Sequence, residues 1–388
     1  MEADIVIVGG GLVGASLAAA LKAAPFRLVV LESTAAEPPD PSAWDSRMYA
    51  ISAASKAFLE SIGAWQKMDA SRLTPVERMH VTGDRGRSLD FSAYDSGLDA
   101  LAWIVESGTM AGAIWSVLEH QHNATLLRPA KPTALTVTDR AATLALDDGR
   151  SVQARLVVGA DGAQSFVREE AGIAVDVKSY EQSGVVANFR CEKPHRGIAY
   201  QWFRDDGILA WLPLPGERMS MVWSTPEPHV AELLALSAAD LCAQVAAAGG
   251  HTLGDLELIT APVAFPLALR QAQHMVVPRI ALVGDAAHTV HPLAGHGVNL
   301  GFGDAAGLAA VLRAARAGAD PGERLLLRRF ERAGAEELML MRATTDGLAR
   351  LFGARSHAAG WLRNTGLALV DRLPFMKNML ANHATGLS

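Results

Sequence analysis

The chain is short of cysteine: Cys191 and Cys242 are the two among 388 residues. Two distant cysteines cannot form a disulfide framework or a cysteine-based zinc site. They read as small core residues of a protein kept in a reducing compartment. Charge of one sign is also lacking, since 35 basic residues meet 41 acidic ones for a net charge of -6. Recognition of nucleic acid through a generally basic surface is therefore excluded. No unbroken apolar run of membrane-span length is present. Ile5 to Leu21 carries no charge, but Gly9, Gly10, Gly11 and Gly14 interrupt it and Glu2 and Asp4 precede it. A secretory signal starts with positive charge, and a spanning helix needs about 20 consecutive apolar residues. The expectation is a cytoplasmic protein, with peripheral contact at the inner membrane left open. No repeat with a period of 20–50 residues and no low-complexity segment beyond alanine-rich helix is found, which excludes a solenoid.

Hydrophobic residues make up 50% of the sequence and charged ones 20%, a globular balance for one discontinuous fold or two domains. Ile5-Val6-Ile7-Val8 is a short β-branched run, as expected of a parallel strand buried on both faces. Three glycines end it, an alanine- and leucine-rich helix over 12–23 follows, and Phe26–Leu31 returns as a strand. This is a βαβ unit. Helices are predicted near 52–64 and 107–121, strand-like runs over 76–95 and 134–154, and a hairpin turn at Asp147-Asp148-Gly149. Leu156–Val158 and Ile280–Val283 are further apolar strands, each ending in glycine. Between about 180 and 226 strand follows strand with short turns, an antiparallel sheet distinct from the opening unit. After residue 298 the pattern is helical almost to the end.

Gly9-Gly10-Gly11-Leu12-Val13-Gly14 fits G-x-G-x-x-G between a strand and a helix, and Glu32 ends the next strand. In this pattern Gly9 permits the tight turn, Gly11 lets a pyrophosphate approach the backbone, and Gly14 lets helix and strand pack closely. The diphosphate lies at the positive end of the helix, and Glu32 accepts from a ribose hydroxyl. The motif alone does not choose between NAD and FAD. Two later segments do: Gly159-Ala160-Asp161-Gly162, leading to Arg168, and Gly284-Asp285-Ala286-Ala287-His288, leading to Pro292-Leu293-Ala294-Gly295-His296-Gly297-Val298-Asn299. Both place an aspartate beyond a strand end, where open α/β sheets bind ligands. Three such ends meeting one ligand predict a long cofactor lying across the sheet. Gly301, Gly303 and Gly307 follow no strand and read as small residues of a packed helix.

These segments resemble the group A flavoprotein monooxygenases, which have the para-hydroxybenzoate hydroxylase fold, and most closely the ubiquinone-biosynthesis hydroxylase family. The resemblance covers essentially the whole chain. It includes Asp45-Ser46-Arg47, the Asp161 and Asp285 segments, Gly207–Leu214 and Val222-Trp223-Ser224. Thr345-Asp346-Gly347-Leu348, Leu351-Phe352, Arg363-Asn364 and Lys377 in the tail narrow it to the ubiquinone branch.

The resemblance implies an α/β protein with a discontinuous Rossmann-like FAD domain (1–75, 97–178 and 265–330), an antiparallel-sheet substrate domain (76–96 and 179–264) and a helical C-terminal segment (331–388). It assigns the ADP half of FAD to Gly9, Gly11, Leu12, Val13, Gly14 and Glu32. Arg47 lies near the flavin, Asp161 serves the FAD region, and Gly284 and Asp285 meet the ribityl and pyrophosphate. The Gly295, His296, Gly297, Val298 and Asn299 segment covers the pyrimidine edge, with Pro292 at the reaction centre. Pro292 and Gly295 are the catalytic candidates, acting through backbone groups, and no side-chain nucleophile is expected. His296 stands where the family usually has Gln, and Gly303 where it often has a charged residue.

The implied reaction is hydroxylation of an aromatic ring with NAD(P)H and O₂, through oxygen added at the flavin C4a carbon, on a polyprenylated phenol of ubiquinone biosynthesis. NAD(P)H binds without its own domain, and other proteins of the pathway are candidate partners. The alternatives are a hydroxylase of a small soluble aromatic acid and a non-catalytic flavin-binding subunit. A plain NAD dehydrogenase does not explain the Asp161 and Asp285 segments. His288, His291 and His296 form a cluster without an evident carboxylate or cysteine to complete a ligand set, so a hydrogen-bonding or flavin-edge role is expected of at least one of them and no metal. Trp202, Trp211 and Trp223 are expected in sheet core ahead of a pocket wall. The apolar positions 367–376 are expected to make core or partner contacts.

Overall fold

The computed structural model describes residues 1–35, 43–83, 88–289, 296–316 and 318–334, with the backbone alone at 296. The first third contains β1 (Glu2–Val8), α1 (Leu12–Ala20), β2 (Leu28–Leu31), β3 (Met48–Ile51), α2 (Ala53–Ser61), β4 (Thr74–Val76), β5 (Arg78–Thr82), β6 (Ser88–Ser92), β7 (Ala102–Glu106) and α3 (Ser107–Leu118). There follow β8 (Ala124–Leu127), β9 (Pro132–Val137), β10 (Ala142–Leu146), β11 (Ser151–Gly159) and α4 (Phe166–Glu170). Next are β12 (Val175–Cys191), β13 (Ile198–Arg204), β14 (Gly207–Leu214), β15 (Arg218–Pro226), α5 (Glu227–Ala235) and α6 (Ala238–Ala248). The last third adds β16 (Leu256–Leu258), β17 (Val263–Ala272), β18 (Val276–Val277), β19 (Ile280–Leu282), β20 (His288–Thr289) and α7 (His296–Arg313).

An eight-stranded sheet carries the order β18-β19-β11-β1-β2-β8, with the β9–β10 hairpin attached to β11. β1, β2, β8, β11 and β19 run parallel. Parallel strands are covered on both faces, which is why Ile5–Val8, Leu28–Leu31 and Val157–Val158 are continuous apolar runs and fully buried. α1 packs between α3 and α7, and Gly14 to Ala20 are all buried there.

A nine-stranded sheet carries the order β20-β17-β12-β15-β14-β13-β5-β6, with β16 on β12. Its long strands alternate. Val185, Ala187, Phe189, Trp211, Met221 and Trp223 lie on one face under Val230 and Leu233 of α5 and Leu241 and Val245 of α6. Trp211 and Trp223 are therefore core, and Trp202 packs on Trp211 with ring centroids 4.7 Å apart. None of the three lines the opposite face. A three-stranded sheet, β3-β7-β4, sits between the two larger ones.

The opening strand–helix–strand unit is as expected, with β2 starting at Leu28 and α1 ending at Ala20. The helix expected after 298 is broken: α7 ends at Arg313, and helix resumes over 324–334. The remaining C-terminal segment, including the tail motifs, lies outside the described residues.

Candidate active site

Four strand ends line up in one row. Val8 is opposite Leu31 on one side and Gly159 on the other, and Gly159 is opposite Leu282. The residues just beyond are Glu32, Gly9, Ala160–Asp161 and Gly284–Asp285. Neighbouring strands lie about 4.8 Å apart, so the row is roughly 15 Å long. That is the shape of an elongated ligand site at the carboxyl edge of a parallel sheet.

The glycine turn is fixed from three sides. Gly9 has φ +101°, and a Cβ there would strike the carbonyl of Ala160. A Cβ on Gly14 would strike the carbonyl of Gly9 and lie 2.9 Å from Ala160 Cβ. Gly11 differs. It caps α1, and a Cβ there would meet nothing within 4 Å among the described residues. The first two glycines are required by the protein's own packing, whereas Gly11 faces open space in front of the helix N–H groups. This is the cradle that a diphosphate requires, so the residues fit FAD.

Glu32 Oε2 accepts from the Gly10 N–H and Oε1 from the Thr34 N–H, both at 2.8 Å. Leu12 opens α1. Val13 wedges its side chain between Gly284 and Gly301, where added Cβ atoms would lie 3.1 and 2.5 Å from it. Gly301 is thus a packing glycine of α7, as the sequence implied, and Gly307 lies against Phe330, whereas Gly303 is exposed and packs against no described residue.

Asp161 braces the start of α4, whose N-cap is Ser165: Oδ1 accepts from Ser165 Oγ at 2.5 Å and Oδ2 from the Val167 N–H at 3.1 Å. Arg168, buried, donates to the Ala163 carbonyl at 2.8 Å and to the Ala286 carbonyl at 2.9 Å. One guanidinium therefore bridges the second and third strand-end turns. In the third, Gly284 has φ +60° and its N–H donates to Asp304 Oδ2 at 2.8 Å. The Asp285 carboxyl reaches solvent, yet the surrounding protein withdraws enough water to raise its pKa, against the pull of His288 and Arg270.

Arg47 is presented by a braced turn. Asp45 Oδ1 accepts from the Arg47 N–H at 2.8 Å and Oδ2 from the Gly108 N–H at 3.0 Å. The Asp45 N–H donates to Glu106 Oε1 at 2.9 Å, and the Asp45 carbonyl accepts from Asn188 Nδ2 at 2.8 Å. Glu106 is buried and held by Arg72 at 2.7 and 2.8 Å. The Arg47 guanidinium lies 5.0 Å from the centre of the Phe265 ring. Tyr49 is drawn into the same cluster. Burial raises its phenol, Arg47 opposes that shift and Asp285 adds to it. Asn299 Oδ1 accepts from the Ser52 N–H at 3.0 Å, and its Nδ2 donates to the Ala50 carbonyl at 2.8 Å, fixing the start of α7. Gly297 and Val298 lie in that first turn, and a Cβ on Gly297 would meet no described residue within 4 Å. Pro292, Gly295 and His291 fall outside the described residues, as does the His296 side chain.

Beside Arg47, the face of the large sheet away from α5 and α6 presents Val186, Val222 and Ala210 in one cross-strand row, all half-buried. Next to them Asn188 and Ser220 are paired in register, and Asn188 Oδ1 and Ser220 Oγ have no partner among the described residues. The result is an apolar floor with polar groups at one end, the usual composition of a small-molecule pocket. A recess of about 240 Å³ lined by His80, Tyr200 and Trp202 lies on the helix-covered face, away from this cluster.

Comparison with known proteins agrees with this geometry. The FAD binding domain family matches residues 2–343. A ubiquinone hydroxylase of Rhodospirillum rubrum is 37% identical over 385 residues, covering 99% of this chain and 90% of that protein. This chain belongs to the ubiquinone-biosynthesis hydroxylase family. The 3-demethoxyubiquinol 3-hydroxylase of Escherichia coli is 36% identical over 388 residues, covering 99% and 98%. The p-nitrophenol 4-monooxygenase of Pseudomonas putida shares the fold, with TM-score 0.80 at 19% identity over 99% of this chain and 98% of that one.

The family member described here is thus a flavoprotein monooxygenase with FAD as its cofactor. Sequence reasoning missed Trp115, Glu106, Asn188, Arg270 and Asp304. Each is an isolated residue outside any motif, and only the folded contacts reveal it.

Proposed function

We propose that this chain hydroxylates the ring of a polyprenylated phenol on the route to ubiquinone, with NAD(P)H as reductant and O₂ as oxygen source. The observation that carries the reading is the row of strand-end turns opening beside an apolar sheet face. The full-length similarity to ubiquinone hydroxylases supports the substrate class.

In this reading residues 1–75, 97–178 and 265–330 hold FAD and residues 76–96 and 179–264 cover the substrate, with β12 and β17 crossing between them. The α1 N–H groups and their dipole balance the diphosphate charge at Gly11. Glu32 orients the ribose, Asp285 the ribityl chain, and Arg47 supplies positive charge beside the ring. Pro292 and Gly295–Asn299 border the reacting edge. Bound FAD supplies the electron transfer and oxygen chemistry. The protein's part is to orient both molecules and exclude water. Val186, Ala210 and Val222 floor the substrate cleft.

No helix among the described residues is long and apolar enough to cross a membrane. A cytoplasmic enzyme touching the membrane surface, where a polyprenyl substrate resides, fits that observation. Docking to other enzymes of the pathway is part of the same proposal.

The test is mass spectrometry of quinone intermediates in a deletion strain. A prenylated phenol lacking one hydroxyl should accumulate, and its structure names the position. Unchanged quinone content, with NAD(P)H oxidation stimulated by a soluble aromatic acid, would replace this substrate class by the acid. Bound FAD without any hydroxylated product would indicate a non-catalytic subunit.

A further inference from the structure

His288 and Asp304 are charged groups buried where the family motifs give them no stated task. His288 Nε2 lies 2.8 Å from Asp304 Oδ2, and their side chains are 4% and 10% exposed. The same carboxylate oxygen accepts the Gly284 N–H at 2.8 Å. His288 begins β20 and is paired with Gln271 of β17. One ion pair therefore joins α7, the third strand-end turn and the edge of the large sheet. Burial alone would strip the proton from His288, but the charge and hydrogen bond of Asp304, with the charge of Asp285, outweigh it and raise the imidazole above its ordinary value.

We propose that His288 and Asp304 form a positioning pair for FAD, whose charged hydrogen bond sets the Gly284–Asp285 turn so that loss of the His288 proton weakens the cofactor's hold. A buried carboxylate that loses its neighbouring cation is strongly disfavoured, so a neutral imidazole, even with its Nε2–H still donating, grips Asp304 less firmly, and Gly284 shares the oxygen concerned. Other charged groups around the pair are Asp285 in the turn and Arg270 on β17. Arg168 of α4 grips Ala286, and Glu331 of the 324–334 helix accepts the Met275 N–H at 3.1 Å. His288 and Asp304 also line a recess of about 150 Å³ with Met275, Leu300 and Phe330, which gives the imidazole a route for proton exchange.

The inference rests on the reading that the Gly284–Asp285 turn meets FAD, so Asp285→Asn is measured alongside. The experiment is a fluorescence titration of FAD into full-length apoprotein between pH 6 and 10, with thermal melts of each apoprotein. Wild-type affinity should fall about tenfold (near 1.4 kcal/mol) across an alkaline step. Asp304→Asn keeps an acceptor for Gly284 but removes the charge. It should weaken FAD about tenfold at neutral pH and move the step to lower pH. His288→Gln should abolish the step, which keeps the test open if Asp304→Asn does not fold. A merely structural pair would lower the melts and leave the pH profile in place. That outcome, with Asp285→Asn still weakening FAD, overturns the positioning role alone. Unchanged affinity in Asp285→Asn overturns the reading of the turn and the pair's role with it.

Discussion

Trp115 Nε1 donates to the carbonyl of Gly10 over 2.9 Å, although 105 residues separate them. The N–H of the same glycine is held by Glu32, so the two peptides flanking Gly10 are gripped from α3 and from the end of β2. Arg128 covers the indole at 4.5 Å from its ring centre. Trp115→Phe keeps most of the ring and loses the donor. It should cost about 1 kcal/mol of stability in urea denaturation and raise the FAD dissociation constant severalfold.

Gly11 and Gly14 separate cofactor binding from folding. Gly11→Ala should leave the apoprotein within about 0.5 kcal/mol of wild type, because its Cβ meets no atom of the described residues within 4 Å. FAD affinity should nevertheless fall at least tenfold. Gly14→Ala should destabilise the apoprotein by about 1–3 kcal/mol, because its Cβ runs into the Gly9 carbonyl. Thermal melts of the apoproteins and FAD titrations distinguish the two. Equal effects of both substitutions on the melts would contradict the assignment.

Glu106 and Arg72 form a buried pair under the Asp45 turn, with Arg72 side chain 20% and Glu106 side chain 3% exposed. Removing one partner of such a pair costs about 3–5 kcal/mol. Arg72→Met should lie near the lower end because Arg72 still touches water. Arg47 should lose its placement with it, so turnover should fall further than the FAD content of the purified protein.

Burial pushes the Cys191 thiol up to about 12, with Glu217 adding to the shift. The folded state keeps this proton where the unfolded chain, with its thiol near the ordinary value of 9.0, loses it. The contribution is therefore complete below pH 9 and is lost as pH rises toward 12. Stability should decline over that window, and Cys191→Ala should flatten the decline. Native Cys191 should resist alkylation at pH 8 and react once urea unfolds the chain.

The parallel sheet and its turns were legible because local pattern and tertiary burial agree there. Ile5–Val8 is apolar without alternation because both faces are covered, and glycine is required at 9 by a positive φ that also brings the backbone against Ala160. The FAD class followed from the aspartates at 161 and 285. Their partners were not legible. Asp304 looks like an ordinary polar residue of a helix, and nothing in sequence shows its oxygen beneath Gly284. Asn188 looks like the polar interruption of a strand, and only the fold carries it to Asp45. The tryptophans resolved once the faces of the large sheet were known, because strand alternation says that two faces exist but not which one two helices will cover.

The three turns follow β1, β11 and β19, so they enter the chain near residues 9, 160 and 284. During synthesis the first is made long before the sheet neighbours that complete it. A ribosome-bound chain carrying the first half of the protein has the glycine signature but no finished cradle. Flavin capture therefore has to wait for β19 and the turn that follows it, about 275 residues after the glycine signature.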